Sequence, residues 1–486
     1  MGRADDMAYI GEYKQIATTG HFSLWDIYPA NHIIGASISM ISSLEAHYVS
    51  FIIPIVFSFI FIAGIYLFSR KLLPDTYISC LVLVSSFVLY LGVYNFTNVP
   101  NALFFAFMPL YLWSLHKYLD IYDTPFSVIF ILMTLLIPIT HPFIVFFVLL
   151  VFLLHIIPRF LTGPKMKILQ IQIVKRSSFS VFAISVINWF INNQKIMEAY
   201  SRFVNEISEP VIFKTADKLA KTNLDFFEYM KLSVFFYGRY IIPTFIILIS
   251  WIYLYFHKDL LKEKALRNYP YLLIFYAILV VTQIVLLLNP IVSHQPYRIM
   301  NLNFAAYGQI PLFACSLYLF FGKSKSLSKL LLVCGILSII WSFSLFGCLD
   351  SPNIFRENVA LTSNEICGMD WFYKMKDGST VVAPVSQVDR FHSIIFGSSE
   401  DIYIKESIPD HFGYVNGSDN FVDVNGLDQN SYIAILTSDE LLYETVPGYK
   451  KIGRYTKEDF HKFRADTSVI KVYDSTNIEI FRTNLL

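Results

Sequence analysis

Acidic and histidine side chains crowd the first 32 residues of the chain, where a simple connecting segment would need none. The set comprises Asp5, Asp6, Glu12, His21, Asp26 and His32. A carboxylate near a membrane surface can take the proton from an attacking hydroxyl, so Asp5 and Asp6 are candidate catalytic bases. The alternative for both is capping, because a helix dipole stabilises carboxylates at its N-terminus. His21 and His32 are candidate substrate contacts, and with Asp26 they show no recognised metal-ligand spacing.

Three further candidates stand at the ends of apolar segments. Arg298 is the candidate partner of a departing phosphate, because a guanidinium binds phosphate oxygens through paired donors, and nearby His294 is its candidate assistant. The alternative for Arg298 is contact with lipid headgroups. His141 lies between two apolar runs, where an ionisable side chain is costly and therefore a functional candidate. Its alternative is a hydrogen-bonded loop histidine.

The composition is that of a membrane protein. Of the 486 residues, 55% are hydrophobic and only 15% are charged, which is too apolar for a soluble chain of this length. The formal net charge of +1 provides no basic field to attract nucleic acid. Membrane lipids are therefore expected partners, and nucleic acid is not.

Apolar segments near the length of a transmembrane helix, roughly 20 residues, recur through the first 350 positions. They predict a mainly α, polytopic membrane protein with about ten spans. The predicted spans are 48–69, 76–94, 100–117, 126–140, 142–158, 178–192, 237–256, 270–289, 302–321 and 328–347.

Basic residues predict the orientation, because Lys and Arg near span ends stay on the cytoplasmic side. They fall on alternate connections, which places residues 1–47, the loop 193–236 and everything after about residue 348 outside the cytoplasm. Residues 1–47 then form an extracytoplasmic segment with interfacial helices, and 48–347 the transmembrane domain. The loop 193–236 mixes both signs of charge with apolar residues, which predicts amphipathic helices at the interface.

Residues 348–486 have the composition of a small extracytoplasmic α/β domain. Strands are predicted at 381–383, 432–436 and 470–472, and a hairpin is predicted at the end of the chain around the turn-forming residues 474–477. A helix is predicted from Asn364 to Met375 with Ser363 as its cap.

The opening run, GRADDMAYIGEYKQIATTGHFSLWDIYPANHIIGASISMISSL, resembles the first extracytoplasmic loop of multi-spanning GT-C glycosyltransferases. That family uses polyprenyl-phosphate-linked sugars, and in it an acidic residue just after the first span acts at the active site. Asp5 and Asp6 stand at the matching positions. A polar segment predicted outside the cytoplasm, with no signal peptide or span before it, predicts a missing first helix, either because the true start lies upstream or because the chain is a shortened version of a longer one. The resemblance fits this prediction. It also implies sugar transfer to a glycan, lipid or protein acceptor on the extracytoplasmic face of the plasma membrane.

Departures from the family narrow this expectation. Oligosaccharyltransferases, a metal-using branch, carry a second acidic motif in the next external loop, but residues 94–101 contain no carboxylate. Their Trp-Trp-Asp motif is matched only weakly, by the sequence Met-Asp-Trp-Phe at 369–372. The better fit is a transferase that requires no cofactor and has no metal site, with a divalent metal as the alternative. The competing functions are a transporter or lipid flippase, which would gather polar groups near the bilayer midplane, and a non-catalytic scaffold.

Overall fold

The structure, a computed structural model, is a helical bundle joined to a small sheet. It describes residues 5–23, 26, 28–90, 97–121, 124–140, 183, 186–187, 211–288, 303–322, 326–349, 360–377, 381–382, 388–397, 431–451 and 455–483.

Helices form the first part of the chain, two short ones being followed by longer apolar ones. They are α1 (Asp5–Thr19), α2 (Ala30–Ser42), α3 (Ala46–Leu72), α4 (Thr76–Tyr90), α5 (Pro100–Ile121), α6 (Thr124–Thr140), α7 (Val211–Thr222), α8 (Phe226–Phe256), α9 (Tyr269–Leu288), α10 (Ala306–Phe321) and α11 (Leu327–Cys348), with a 3₁₀ turn at Lys258–Lys262.

Four helices within the described ranges are long and apolar enough to cross a membrane, namely α3, α8, α9 and α11. Shorter apolar helices lie within α4, α6 and α10. The prediction of a mainly helical membrane protein is therefore confirmed. The number of spans, about ten, stays a prediction, since the predicted spans 142–158 and 178–192 fall almost wholly outside the described residues.

The helix that contains the predicted span 237–256 extends into the predicted loop 193–236. Helix α8 begins at Phe226, eleven residues earlier than the predicted start at 237. Asp225 and Glu228 explain the early start, because they form a capping box. The Asp225 side chain accepts from the Glu228 amide at 2.7 Å, and the Glu228 carboxylate accepts from the Asp225 amide at 3.2 Å.

Helices α3 and α5 pack side by side in the same direction, since Phe61 lies beside Phe105 and Phe68 beside His116. The bundle has two chemically different ends. At one, the α1 end, the Tyr307 hydroxyl near the start of α10 donates to the carbonyl of Phe105 near the start of α5 at 2.9 Å. At the other, the side-chain amide of Asn268, just before α9, donates to the backbone carbonyl of Leu72 at 2.6 Å. We call the second the basic end, because its described residues include Arg70, Lys71, Lys117, Lys258, Lys262, Lys264 and Arg267.

The C-terminal part is an α/β unit with a four-stranded sheet in the order β1-β2-β4-β3. Strand β1 is parallel to β2, and β4 pairs antiparallel with both β2 and β3. The elements are α12 (Ser363–Met375), β1 (Val381–Val382), α13 (Asp389–Phe396), β2 (Tyr432–Leu436), α14 (Thr437–Thr445), α15 (Lys457–Ala465), β3 (Val469–Ser475) and β4 (Ile478–Thr483).

The cap predicted for α12 is off by one residue. Thr362 is the capping residue, since its hydroxyl accepts from the Glu365 amide at 3.3 Å, while the Glu365 carboxylate accepts from the Thr362 amide at 2.8 Å. Ser363 is the first helical residue. Two hydroxyl residues in succession both suit an N-cap, and the position of the glutamate three residues on selects Thr362.

Helix α1 docks directly on α13 of this unit. The Lys14 ammonium donates to the carbonyls of Ile394 and Ile395 at 2.5 and 3.3 Å, at the C-terminal end of α13, where a cation is favoured by the helix dipole. Gly11 faces the Ser393 carbonyl so closely that a Cβ there would lie 2.6 Å from its oxygen. The α/β unit therefore fixes the position of the helix that carries Asp5 and Asp6.

Candidate functional site

One face of helix α1 is buried in the protein, and the residues on it are three or four positions apart. Asp6, Ile10 and Tyr13 on that face are all buried, and Asp6 is 6% exposed. Opposite them, α2 offers Gly35, whose missing side chain makes room for the Tyr13 ring. Asp6 lies in the first turn of α1, where the helix dipole stabilises a carboxylate. This close packing explains why a carboxylate can be held inside the protein.

A network of amide and phenol groups joins α1, α2 and the residues before α5. The Asn98 side chain donates to the Tyr13 hydroxyl, and the Asn31 side chain donates to the Asn98 carbonyl oxygen at 3.1 Å. Burial raises the pKa of Tyr13, the bond from Asn98 lowers it in part, and the nearby charge of Asp6 raises it further. Tyr13 is therefore a neutral phenol beside the Asp6 carboxyl group.

A second cluster joins α1 and α2 through the segment between them. The Nδ1 atom of His32 lies 2.5 Å from Oδ2 of Asp26, and both residues are buried. Glu12 accepts hydrogen bonds from the hydroxyl and amide of Ser23, at 2.7 and 3.3 Å. Glu12, Asp26 and His32 each bring one carboxylate oxygen or ring nitrogen within 4.8 Å of the other two. We call these three residues the Glu12 cluster.

The structure brings some of the predicted site residues together and separates one of them. Asp6 and His32 lie in adjoining parts of the α1–α2 pair, with the Tyr13 and His32 rings 6.3 Å apart. His32 is only 2% exposed, and its role as a substrate contact stays a prediction. His21 is exposed, with its Nδ1 atom 2.8 Å from the Thr19 carbonyl oxygen, and does not join the cluster.

Four predicted site residues lie wholly or partly outside what the structure describes. The backbone of Asp5 begins α1, but its side chain is outside the described part. His141, His294 and Arg298 fall outside the described residues. Their roles stay predictions.

Sequence reasoning missed a buried cation, Arg239 of α8, which is 2% exposed. Its guanidinium carbon lies 4.5 Å from the centre of the Tyr240 ring, and Cys348 at the end of α11 is within hydrogen-bonding reach. Asn303, just before α10, is buried near Tyr240. The signal was available, because an arginine within a predicted span is a functional candidate on its own.

Polar contacts inside the bundle hold the backbone next to Arg239. The Gln309 side chain of α10 donates to the Tyr240 carbonyl and to the Thr244 hydroxyl, both at 2.9 Å. The hydroxyls of Thr244 and Tyr276 are 2.7 Å apart, which links α8 to α9. The arginine therefore sits on a helix segment that is fixed from two sides.

Arg239 lies at the same end of the bundle as Asp6. Asn98, which contacts α1 and α2, lies two residues before the start of α5. The Phe104 ring in the first turns of α5 lies 5.5 Å from that of Phe304, the neighbour of Asn303. A carboxylate able to exchange a proton and a cation able to bind an anion are thus both carried by the α1 end.

Comparison with solved structures identifies the class of fold. The apo oligosaccharyltransferase of Archaeoglobus fulgidus aligns over 99% of this chain and 71% of its own, with 10% identity and a TM-score of 0.55. The arabinofuranosyltransferase AftD from Mycobacteria aligns over 100% of this chain and 38% of its own, with 10% identity and a TM-score of 0.52. No protein-family model and no curated protein sequence matches the chain.

A third neighbour is ArnT from Cupriavidus metallidurans, solved bound to undecaprenyl phosphate. It aligns over 99% of this chain and 94% of its own, with 10% identity and a TM-score of 0.50. All three neighbours are GT-C glycosyltransferases. The predicted GT-C fold is therefore confirmed, and this chain spans less than half the length of AftD.

Proposed function

We propose that the chain is a membrane glycosyltransferase that moves a sugar from a polyprenyl-phosphate donor to an acceptor on the extracytoplasmic face. The observation that carries the proposal is the placement of buried Asp6 and buried Arg239 at one end of a bundle with the GT-C fold. The undecaprenyl phosphate bound to ArnT supports a lipid-phosphate donor, since that neighbour shares the fold over nearly its whole length.

The proposed reaction is a displacement at the anomeric carbon of the donor sugar. The acceptor hydroxyl attacks that carbon, its proton passes to Asp6 or Asp5, and the bond from carbon to phosphate oxygen breaks. The departing lipid phosphate carries the released charge, which a guanidinium stabilises. Arg239 supplies that cation, with Arg298 and His294 as its sequence-predicted partners. No cofactor is required for these steps.

The basic end of the bundle is proposed to face the cytoplasm. Lysines and arginines near span ends are retained on that side, and the described residues at the basic end include Arg70, Lys71 and Lys258. The α1 end and the C-terminal α/β unit then face outward. Met40 and Ile41 of α2 are exposed there, which suits a helix lying against the membrane surface.

The proposal is tested by incubating membranes that contain the chain with labelled polyprenyl-phosphate sugars and following the label into other molecules. Asp6→Asn should lower the initial rate of transfer by about 100- to 10,000-fold, the usual contribution of a positioned acid or base. Asp5→Asn and the double variant show which carboxylate takes the proton.

Asp259→Asn is the matched control, because it makes the same chemical change in an exposed carboxylate at the basic end. It should transfer at the wild-type rate. Unchanged transfer in the Asp5 and Asp6 double variant would remove the proposed base. Wild-type chain that carries labelled lipid across vesicles without transferring sugar would instead support a flippase.

A further inference from the structure

The Glu12 cluster has the residue types of a metal site, and its ligand atoms lie close together in the structure. The separation of these residues along the chain did not indicate such a site. Glu12 comes from α1, His32 from α2 and Asp26 from the segment that joins them. Their nearest potential ligand atoms all lie within 4.8 Å of one another. Contact between the two helices brings the three groups together, although Glu12 and His32 are twenty positions apart in the chain.

The imidazole of the cluster lies in an aromatic pocket. The Nε2 atom of His32 is buried and has no hydrogen-bond partner within the described part of the chain. Tyr9, Tyr13 and Tyr28 surround the ring, with centroids 5.0, 6.3 and 6.3 Å away. Nδ1 is the ring nitrogen that faces Asp26, so an ion held between the three groups binds Nδ1, and the unpartnered Nε2 is a separate feature of this aromatic pocket.

The carboxylates of the cluster are held in place by other groups. Ser23 donates to Glu12 at 2.7 Å through its hydroxyl, and the Tyr28 amide donates to Oδ1 of Asp26 at 3.1 Å. Hydrogen bonds of this kind orient metal ligands in proteins. The cluster therefore has supporting contacts around it as well as donor atoms within it.

The charge of the cluster also favours a cation. Glu12 and Asp26 place two carboxylates against a single imidazole, and buried carboxylates need compensating positive charge. Lys14, the lysine of α1, donates to the Ile394 carbonyl of α13. The positive charge nearest in sequence is thus directed toward the α/β unit.

We propose that Glu12, Asp26 and His32 bind a divalent transition-metal ion of the Zn²⁺ type. One imidazole and two carboxylates suit such ions, whereas Mg²⁺ and Ca²⁺ prefer oxygen ligands alone. Bonds of about 2.0–2.2 Å place tetrahedral ligand atoms about 3.3 Å apart, so the close pair of Asp26 and His32 opens slightly to admit the ion. The bound ion ties α1 to α2. This inference is independent of the proposed function, because it concerns ion binding alone.

The test measures metal bound to the full chain, purified in detergent with a tag that contains no histidine. After treatment with a chelator and reloading with Zn²⁺, mass spectrometry of the elements should find one ion per chain. Cobalt in place of zinc should give the visible absorption of a Co²⁺ site with nitrogen and oxygen ligands. Thermal unfolding should shift upward as the free Zn²⁺ concentration rises, since the ion binds the folded state.

The variants separate this site from adventitious binding. Glu12→Gln keeps the size of the side chain, and His32→Ala removes the ring; each should weaken Zn²⁺ binding by more than the roughly 10- to 100-fold that loss of a supporting contact costs. His21→Ala is the matched control, because it removes an exposed histidine of the same segment, and should bind like the wild type.

Wild-type chain that retains no Zn²⁺ and shows no shift in unfolding would overturn the proposal. Equal binding by Glu12→Gln and wild type, with both eluting as folded chains in gel filtration, would overturn it as well. Neither result depends on sugar transfer, so failure of the metal site and failure of the proposed function are distinguishable.

Discussion

Buried polar side chains are used differently at the two ends of the bundle. At the α1 end, Tyr13, Asn31 and Asn98 bond to one another across three parts of the chain. Toward the basic end, buried Ser250 and Ser316 each donate to the carbonyl four residues back in their own helix. A hydroxyl that bonds within its own helix satisfies itself and constrains nothing else.

The difference indicates which end of the bundle can hold reacting groups in a fixed arrangement. Bonds between elements fix the relative position of groups that must act together, whereas bonds within one helix only make a polar side chain tolerable in an apolar setting. Asp6, Arg239 and the Glu12 cluster all lie at the end with the network of Tyr13, Asn31 and Asn98, whereas the basic end has separate bonds to backbone carbonyls, such as that from Asn268 to Leu72. The functional account therefore predicts that changes at the α1 end have larger effects than matched changes at the basic end.

After the loss of transfer rate in Asp6→Asn, the largest effect in this comparison is expected from Arg239→Gln. Loss of a charge-assisted hydrogen bond of about 1.5–3 kcal/mol corresponds to roughly 10- to 100-fold weaker engagement of the donor phosphate. It should appear as a higher KM for the labelled polyprenyl-phosphate sugar in the transfer assay. Arg70→Gln, the same change at the basic end, should leave that KM unchanged. Equal KM values for the two variants would show that the cation of the α1 end does not meet the donor.

A moderate effect is expected from Tyr13→Phe on folding stability. The change leaves the buried Asn98 amide without its acceptor, which should lower the free energy of unfolding by about 1–3 kcal/mol. Ser250→Ala removes a buried hydroxyl that bonds only within its helix, and it should cost less than Tyr13→Phe. Denaturant unfolding in detergent measures both. If the two variants unfold alike, the network at the α1 end contributes no more than a local bond.

The smallest effect concerns the pH response of the α/β unit that supports α1. Burial lowers the pKa of His392 below its usual 6.5, and the charge of Lys376 adds to the shift. Between the lowered folded value and 6.5 the unfolded chain binds more protons, so stability rises with pH through this window and is lost as pH falls through it.

Between about pH 7 and pH 5, the wild type should therefore lose more stability than His392→Gln. Thermal unfolding at a series of pH values checks this. His461→Gln, at an exposed position of α15, should follow the wild type. If the unfolding temperatures of the wild type and His392→Gln change equally with pH, the burial of His392 does not couple stability to pH.

Much of the bundle could be predicted, because a helix in a bilayer must satisfy its own backbone and so leaves an apolar run of recognisable length. The helices α3, α9 and α11 begin and end within a few residues of their predicted bounds. The start of α8 could not be read from hydropathy, since the capping pair Asp225 and Glu228 extends the helix beyond the apolar run.

The candidate site was only partly predictable. Asp6 was found from its position in a resembling segment, and its burial beside Tyr13 could not be read from that. The meeting of Glu12 with Asp26 and His32 depends on how α1 packs against α2, which no short spacing encodes. Arg239 left a signal in the sequence, a charge inside an apolar run, that sequence reasoning missed.

The most direct test of the central claim, that the α1 end receives the lipid-phosphate donor, is a structure of the chain with a polyprenyl phosphate added. The account predicts that the phosphate lies within hydrogen-bonding distance of the Arg239 guanidinium, on the side of the bundle that carries Asp6. A phosphate bound instead at the basic end, in the pocket lined by Trp251, Tyr255 and Lys258, would contradict it.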